Sequence, residues 1–188
     1  MSKGDETRKN IVEAATMVFA QKGYKNVSMT DICEATGLSR GGLYRHYSST
    51  AEIFREIVTD DYSFDERIRR GDKALEILTD TLTYVVEALD QKEKSLSLAI
   101  YEYASMEDNR GLFHEIDERA RKRWKDLIEY GMKTGEFCTV DAEAVAEMIL
   151  YYYQGLRMWS KVVDMDERTS ENYRKTVLLV LSGWKNED

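Results

Sequence analysis

The chain has 188 residues, of which 43% are hydrophobic and 33% charged, and its formal net charge is -8. A chain of this length and composition buries a sizeable core in one or two domains, which excludes a disordered protein. With no proline and only eleven glycines, the chain has few of the residues that punctuate short strands, so we expect an all-α protein of about nine helices.

The termini and cysteines exclude several other classes. No run of about 18 apolar residues is present, and the N-terminus lacks the layout of a signal peptide, so we expect a soluble cytoplasmic protein with no membrane partner. Cys33 and Cys138 lie far apart, without a CxxC or histidine-rich neighbourhood. We therefore expect two small buried side chains, and neither a disulfide, a metal site nor a cofactor.

The negative net charge argues against nucleic-acid binding until its distribution is considered. Residues 1–50 carry seven Lys or Arg and five Asp or Glu, a net charge of +2, whereas the other residues carry 20 and 30, a net charge of -10. The acidity therefore belongs to the second part of the chain, and the first part remains able to face phosphates.

The first predicted helix contains the spaced apolar residues Ile11, Ala15 and Phe19. This spacing is typical of an amphipathic helix, and Gly23 is placed to end it in a left-handed conformation.

Three further helix starts follow. Ser28 and Asp31 form a predicted capping box that opens a short second helix ending at Gly37, and Ser39 is the predicted N-cap of a short third helix. A second capping-box pattern at Ser49 opens a longer fourth helix. Four helices thus fit within about the first 70 residues.

Beyond residue 70 the apolar periodicity predicts longer helices. Asp141 is the predicted N-cap of the clearest of them. Their approximate ranges are 73–90, 94–106, 110–134, 141–164 and 168–184. We predict a division of the chain between residues 48 and 49.

The segment from Ser28 to Tyr47 has the form of a helix-turn-helix: a capped helix, a turn containing glycine, and a second helix. Two short helices joined by a glycine turn also occur as a plain αα corner, so the pattern alone leaves both interpretations open. The second helix and its end carry basic and aromatic residues, namely Arg40, Tyr44, Arg45, His46 and Tyr47.

These residues also carry a family resemblance. The quoted segments are Phe19-Ala20-Gln21-Lys22-Gly23-Tyr24, Val27-Ser28-Met29-Thr30-Asp31-Ile32, Gly37-Leu38-Ser39-Arg40-Gly41-Gly42-Leu43-Tyr44-Arg45-His46-Tyr47 and Glu52-Ile53-Phe54. In order and spacing they resemble the DNA-binding region of the tetracycline-repressor (TetR) family over residues 7–58. The remaining residues resemble that family only in helix lengths and in the late turn at Gly135.

The resemblance implies a dimeric transcription regulator, usually a repressor, whose third helix lies in the major groove of a palindromic operator. It implies a helix-turn-helix DNA-binding domain over 1–48 and a helical regulatory domain for ligand binding and dimerisation over 49–188. It implies that Arg40 contacts a base, with Thr30 on a base edge or a nearby phosphate. The DNA-contacting set that we expect is Ser28, Thr30, Ser39, Arg40, Gly41, Gly42, Tyr44, Arg45, His46, Tyr47 and Thr50.

Some of these positions have a structural alternative. Tyr44 and Tyr47 also suit helix packing, and Arg45 suits a solvated surface. The family usually has lysine where this chain has Thr50, so one phosphate-neutralising charge is missing. The loss of one such charge lowers the salt dependence of binding: the slope of the logarithm of the binding constant against the logarithm of salt concentration changes by about 0.9.

The second part of the chain holds most of the aromatic side chains, nine Tyr, four Phe and three Trp after residue 50. The resemblance implies a small-molecule inducer site among the middle helices. Packing is the ordinary role of each such residue. The candidate ligand-binding residues are Tyr84, Tyr101, Tyr103, Phe113, Trp124, Tyr152 and Trp159.

The inducer and the dimer are further expectations. A carboxylate among aromatic rings suits a lipophilic cation. Glu102 is therefore a weak indication of such a ligand, although a solvated Glu102 is the simpler interpretation. The resemblance also implies that the last two helices pair across a two-fold axis; the second of these offers Val177, Leu178, Leu181 and Trp184.

Two other classes remain to be weighed. An enzyme is disfavoured, because no nucleophile triad, phosphate loop or HExxH pattern is present, and neither His46 nor His114 has the glutamate three residues earlier that a di-iron bundle needs. The alternative that stays open is a ligand-binding or adaptor protein that retains the helix-turn-helix only as structure.

Overall fold

In the computed structural model, residues 3–59 and 63–183 are described. These residues form α-helices joined by turns, which confirms the all-α prediction. The helices are α1 (Lys3–Lys22), α2 (Met29–Thr36), α3 (Arg40–Tyr44), α4 (Thr50–Thr59), α5 (Asp65–Arg70), α6 (Ala74–Asp90), α7 (Ser97–Ala104), α8 (Arg110–Thr134), α9 (Ala142–Trp159) and α10 (Glu167–Ser182), with short 3₁₀ turns at Lys92–Lys94 and Glu107–Asn109.

The predicted caps are present where the sequence places them. The Ser28 side chain accepts from the Asp31 amide, and the Asp31 carboxylate accepts from the Ser28 amide, so the capping box of α2 is complete. Ser39 caps α3 by accepting from the amide of Gly42, and Asp141 caps α9. These contacts satisfy amide groups that have no partner within their own helices.

Other boundaries differ from the prediction. At the start of α4, Ser49 accepts from the Glu52 amide at 3.2 Å, but the Glu52 carboxylate accepts from the amide of Ser48. The short helix α5 was not predicted, and α9 ends at Trp159 instead of continuing to residue 164. Trp184, the last apolar residue predicted for the final helix, lies outside the described residues.

The described residues divide into two compact units. The first comprises those within 1–61 and 93–111, and the second those within 62–92 and 112–188. The first unit thus contains α4 and α7 in addition to α1, α2 and α3. The sequence, in contrast, suggests a functional division between residues 48 and 49. That functional division stays a prediction.

The first unit packs α2, α4 and α7 against α1. Its buried residues include Ile11, Phe19, Leu43 and Phe54, each with no exposed surface. The rings of Phe19 and Phe54 meet at 4.7 Å, edge to face, an arrangement that aromatic pairs favour.

The second unit contains α5, α6, α8, α9 and α10 around a larger apolar core. Phe137 joins this core by lying over Gly131 of α8. A Cβ atom at Gly131 would lie 2.1 Å from the Phe137 ring. The absence of a side chain at residue 131 therefore permits this packing.

The same turn supports the start of α6. The Glu136 carboxylate accepts from the amides of Ala74 and Leu75, both at 3.1 Å. Because Lys73, the N-cap residue of α6, makes no side-chain capping bond, Glu136 supplies that capping function from a distant part of the chain.

A search of the described helices for a membrane span finds none that is both long and apolar enough to cross a bilayer.

Candidate nucleic-acid interface

The helix-turn-helix places the first residues of α2 beside the first residue of α3. Arg40 is exposed, and its Nη2 atom donates to the Thr30 hydroxyl at 3.2 Å. Thr30 is exposed as well. The two residues expected to contact bases are therefore adjacent on one solvent-facing surface.

The remainder of the α3 segment combines open backbone with exposed side chains. A Cβ atom at Gly41 would meet no atom within 4 Å, so the helix offers bare backbone there. The Tyr44 side chain is 52% exposed. Arg45 is exposed and His46 is half-buried. These are hydrogen-bonding groups of the kinds that contact phosphate oxygens.

Tyr47 differs from the other expected DNA-contacting residues of this segment because it is only 1% exposed. The Arg8 guanidinium lies over its ring at 4.7 Å. Burial raises the pKa of Tyr47, and the nearby Glu56 carboxylate raises it further. The expected phosphate contact of Tyr47 is incompatible with this burial, and the packing alternative describes the residue correctly.

Thr50 is the first residue of α4 and is half-buried. It takes part in a hydrogen bond with Tyr24. Burial and the neighbouring Tyr103 raise the pKa of Tyr24, and the bond with Thr50 lowers it by a smaller amount. The hydroxyl that replaces the family's lysine therefore serves contacts within the first unit.

A charged pair reinforces the capping box of α2. Lys22 donates to the Asp31 carboxylate, and Ser28 donates to it through both its amide and its hydroxyl. The lysine contact, followed by the serine contacts, holds the pKa of Asp31 well below its usual range. The carboxylate is therefore ionised at neutral pH, which suits its position at a helix N-terminus.

Helix α7 contributes to the first unit, which local sequence spacing does not reveal. The Glu102 carboxylate accepts from the Lys25 amide at 3.0 Å, in the turn between α1 and α2. A Cβ atom at Gly23 would lie 2.8 Å from this carboxylate. The carboxylate suggested as a partner for a cationic ligand thus contacts the backbone of the first unit.

The expected ligand-binding residues are distributed over both units. Tyr101 and Tyr103 belong to the first unit and the other five to the second. Tyr103 is 4% exposed and packs its ring on Tyr24 and Phe54 at 4.6 and 5.0 Å. Its role in the structure is packing.

Within the second unit, the expected ligand residues vary in exposure. Tyr84 and Trp159 are 72% and 58% exposed, and Trp124 is buried at 8%. Phe113 and Tyr152 are half-buried. A cavity of about 10 Å³ in this unit, about the least space that holds one water molecule, is lined by a different set: Leu89, Asp90, Leu156, Ser160, Met165, Asp166, Thr169 and Ser170.

Among the described side chains, no group of three or more His, Cys, Asp or Glu residues is placed to hold a metal ion.

Comparison with known proteins assigns this architecture to a family. Residues 11–57 match the family model described as bacterial regulatory proteins of the tetR family. Over 93% of each chain, the sequence is 29% identical to the HTH-type transcriptional regulator YfiR of Bacillus subtilis. The chain belongs to the TetR family. It is a TetR-family transcriptional regulator.

Two further similarities are consistent with this assignment. The sequence is 26% identical to the HTH-type transcriptional repressor KstR2 of Rhodococcus jostii, over 69% of this chain and 67% of that protein. The fold matches the crystal structure of a TetR-family transcriptional regulator from Syntrophomonas wolfei with a TM-score of 0.70 and 21% identity, covering 99% of this chain and 100% of the other.

The matched segment of this TetR-family regulator contains the expected base-contacting residues but not every residue that supports them. Arg8 and Glu102 lie outside residues 11–57. Their partners are 48 and 77 residues away in the chain. Because neither contact has a local periodic signal, sequence reasoning found neither the Arg8 contact nor the contact of Glu102 with the Lys25 amide.

Proposed function

We propose that this TetR-family regulator is a ligand-responsive repressor that binds a palindromic operator as a dimer, with α3 in the major groove. The observation that carries the proposal is the exposed Arg40 side chain, which is oriented by Thr30 at the surface shared by α2 and α3. An arginine on a major-groove helix recognises guanine through paired bonds to O6 and N7.

The proposed interface separates base contacts from phosphate contacts. Arg40 and Thr30 contact bases, while exposed or half-buried polar groups around them hold the phosphates. The phosphate set is Ser28, Ser39, Tyr44, Arg45 and His46, with Gly41 and Gly42 allowing close approach of the backbone. Tyr47 is left out because its side chain is buried.

The proposed base contact is tested by selecting bound sequences from random DNA. Arg40→Ala should lose discrimination at one position of each half-site by about 1–3 kcal/mol. Arg45→Ala is the matched control, because the loss of a phosphate contact weakens all sequences alike. Uniform weakening by Arg40→Ala would reject the base-contact assignment. A wild-type chain that enriches no sequence would favour the adaptor alternative.

The proposed dimer uses α9 and α10. Tyr151 and Trp159 on α9 are 53% and 58% exposed, and Leu179 on α10 is 41% exposed. Large apolar side chains exposed on neighbouring helices favour a protein partner. A second copy would place two α3 helices at half-sites about one turn, roughly 34–36 Å, or more apart. Sedimentation at micromolar concentration tests this, since a monomer contradicts the model.

The proposed signal is a small lipophilic molecule bound in the second unit. Its candidate contacts are Tyr84, Phe113, Trp124, Tyr152 and Trp159, because aromatic side chains between helices are typical of such sites. A panel of lipophilic cations, anions and neutral compounds should include one that releases the protein from operator DNA. If no compound in any class changes DNA binding, a different signal is favoured. In this proposal the chain is a cytoplasmic non-enzyme without cofactor.

A further inference from the structure

Three side chains from separate elements meet next to the end of the α3 segment. Arg8 on α1 donates through Nε to Glu56 Oε1 on α4 at 3.0 Å, and through Nη2 to Glu56 Oε2. The same guanidinium lies over the Tyr47 ring, 4.7 Å from its centre. Arg8 therefore forms a paired contact with a carboxylate and a stacked contact with an aromatic ring.

The surroundings commit Arg8 to this cluster. Tyr47 is 1% exposed, while the side chains of Arg8 and Glu56 are 46% and 34% exposed. The arginine contact lowers the pKa of Glu56 and the carboxylate raises that of Arg8, as expected of an ionised pair. A guanidinium held by one carboxylate and one ring has fewer donors left for DNA phosphates.

Tyr47 connects this cluster to the proposed DNA contacts. It lies three residues after Tyr44, where α3 ends, and its amide donates to the Leu43 carbonyl at 3.1 Å. A helix of five residues has little stability of its own. Its direction therefore depends on anchoring side chains, which here are Leu43 and Tyr47, at 0% and 1% exposure.

We propose that Arg8 and Glu56 are positioning residues for operator recognition: they clamp Tyr47 and so fix the direction of α3, without contacting DNA. The inference rests on the proposed DNA-binding function. Arg8 lies outside the segment that matches the family model, residues 11–57, so the clamp is a feature of this chain beyond that segment.

The test compares full-length variants on one duplex chosen by selection with the wild-type protein. The variants are Arg8→Ala, Arg8→Lys and Glu56→Gln. Lys9→Ala is the control, because it removes a neighbouring positive charge of α1 whose nearest acidic partner, Glu13, lies at 3.8 Å on the same helix. Affinity is measured between 50 and 200 mM salt, in the range where phosphate contacts dominate its slope.

We expect Arg8→Ala and Glu56→Gln each to weaken binding by roughly 5- to 30-fold. Arg8→Ala removes the charged pair and the stacked contact, and Glu56→Gln removes the charged pair that holds the guanidinium over the ring. The slope of affinity against salt should not change, because no phosphate contact is removed. Arg8→Lys should rescue little, since lysine lacks the planar fork that pairs with a carboxylate and stacks on a ring. Lys9→Ala should change affinity little.

Two results would overturn the proposal. If Arg8 contacts a phosphate, Arg8→Ala lowers the slope by about 0.9, Arg8→Lys keeps most of the affinity, and Glu56→Gln tightens binding by freeing the cation. If the variants bind as tightly as the wild-type protein while circular dichroism shows them folded, the clamp has no role in recognition.

Hydrogen exchange separates this inference from the proposed function. Amides of residues 40–47 should exchange faster in Arg8→Ala and Glu56→Gln than in Lys9→Ala, and this difference is measured without DNA. The effect is local if the amides of the rest of the first unit stay protected. Unchanged exchange there would refute the clamp. A wild-type protein that selects no DNA would instead refute the proposed function, whatever the exchange shows.

Discussion

Gly131 provides the most direct test of the packing in the second unit. Alanine at this helical position would gain about 1 kcal/mol of helix propensity over glycine. The added Cβ, however, would lie 2.1, 2.4 and 2.6 Å from three atoms of the Phe137 ring. Because the amide of Phe137 donates to the carbonyl of Gly131 at 3.0 Å, the Phe137 backbone is held in place and the ring can avoid the new Cβ only by rotating away from this position.

The expected cost of Gly131→Ala follows from these opposing effects. Phe137 is 6% exposed, and the loss of a buried phenylalanine costs about 3–5 kcal/mol. Subtracting the propensity gain of about 1 kcal/mol, we expect the free energy of unfolding to fall by about 2–3 kcal/mol, allowing for partial repacking. Equilibrium denaturation at one fixed protein concentration measures this change, since association also affects apparent stability.

Two controls make the measurement decisive. Gly111→Ala places the same methyl group on α8 where nothing lies within 4 Å, so it should leave stability unchanged or slightly raised. Gly131→Ala combined with Phe137→Ala should cost less than the sum of the single changes, because removing the ring removes the clash. A stabilising Gly131→Ala, or additive costs, would show that the ring does not occupy this position.

Further predictions concern the caps and the proposed dimer. Glu136→Gln should destabilise the second unit by about 1 kcal/mol, as the loss of a charged helix cap does. Burial raises the pKa of Glu136, but the amides at the start of α6 and a threonine hydroxyl outweigh burial and lower the pKa. The contribution of Glu136 to stability is therefore complete above the unfolded pKa and is lost as pH falls. The difference in stability from the variant should shrink on acidification, and a constant difference would contradict this. Ser28→Ala should lower the free energy of unfolding by about 1 kcal/mol, and unchanged denaturation would mean that water replaces the cap. Trp159→Glu should raise the dimer dissociation constant at least tenfold in sedimentation, about 1.4 kcal/mol, whereas an unchanged constant would place the interface elsewhere.

Local chemistry accounts for what the sequence predicted well. The capping box at Ser28, the left-handed Gly23 and the cap at Asp141 each depend on residues a few positions apart, and the structure contains all three. The predicted range 110–134 coincides with α8. Such features are determined by backbone groups within one turn of helix.

Contacts between distant residues account for what the sequence missed. Tyr47 is buried because Arg8 and Glu56 converge on it from two other helices. Glu102 contacts the backbone at Lys25, 77 residues earlier. The periodic pattern of one helix shows which face is apolar but not which helix covers it. Placing the candidate ligand residues in two units therefore required the structure.

The packing of α7 with the N-terminal helices sets the smallest part of the chain that can be exchanged between regulators. A transplanted segment ending before residue 93 would leave Tyr24 and Phe54 without the Tyr103 ring and the Lys25 amide without its carboxylate. A chimaera designed to give the proposed operator specificity to another sensor should therefore carry residues 93–111 together with the helix-turn-helix. In this chain the first compact unit is discontinuous in sequence.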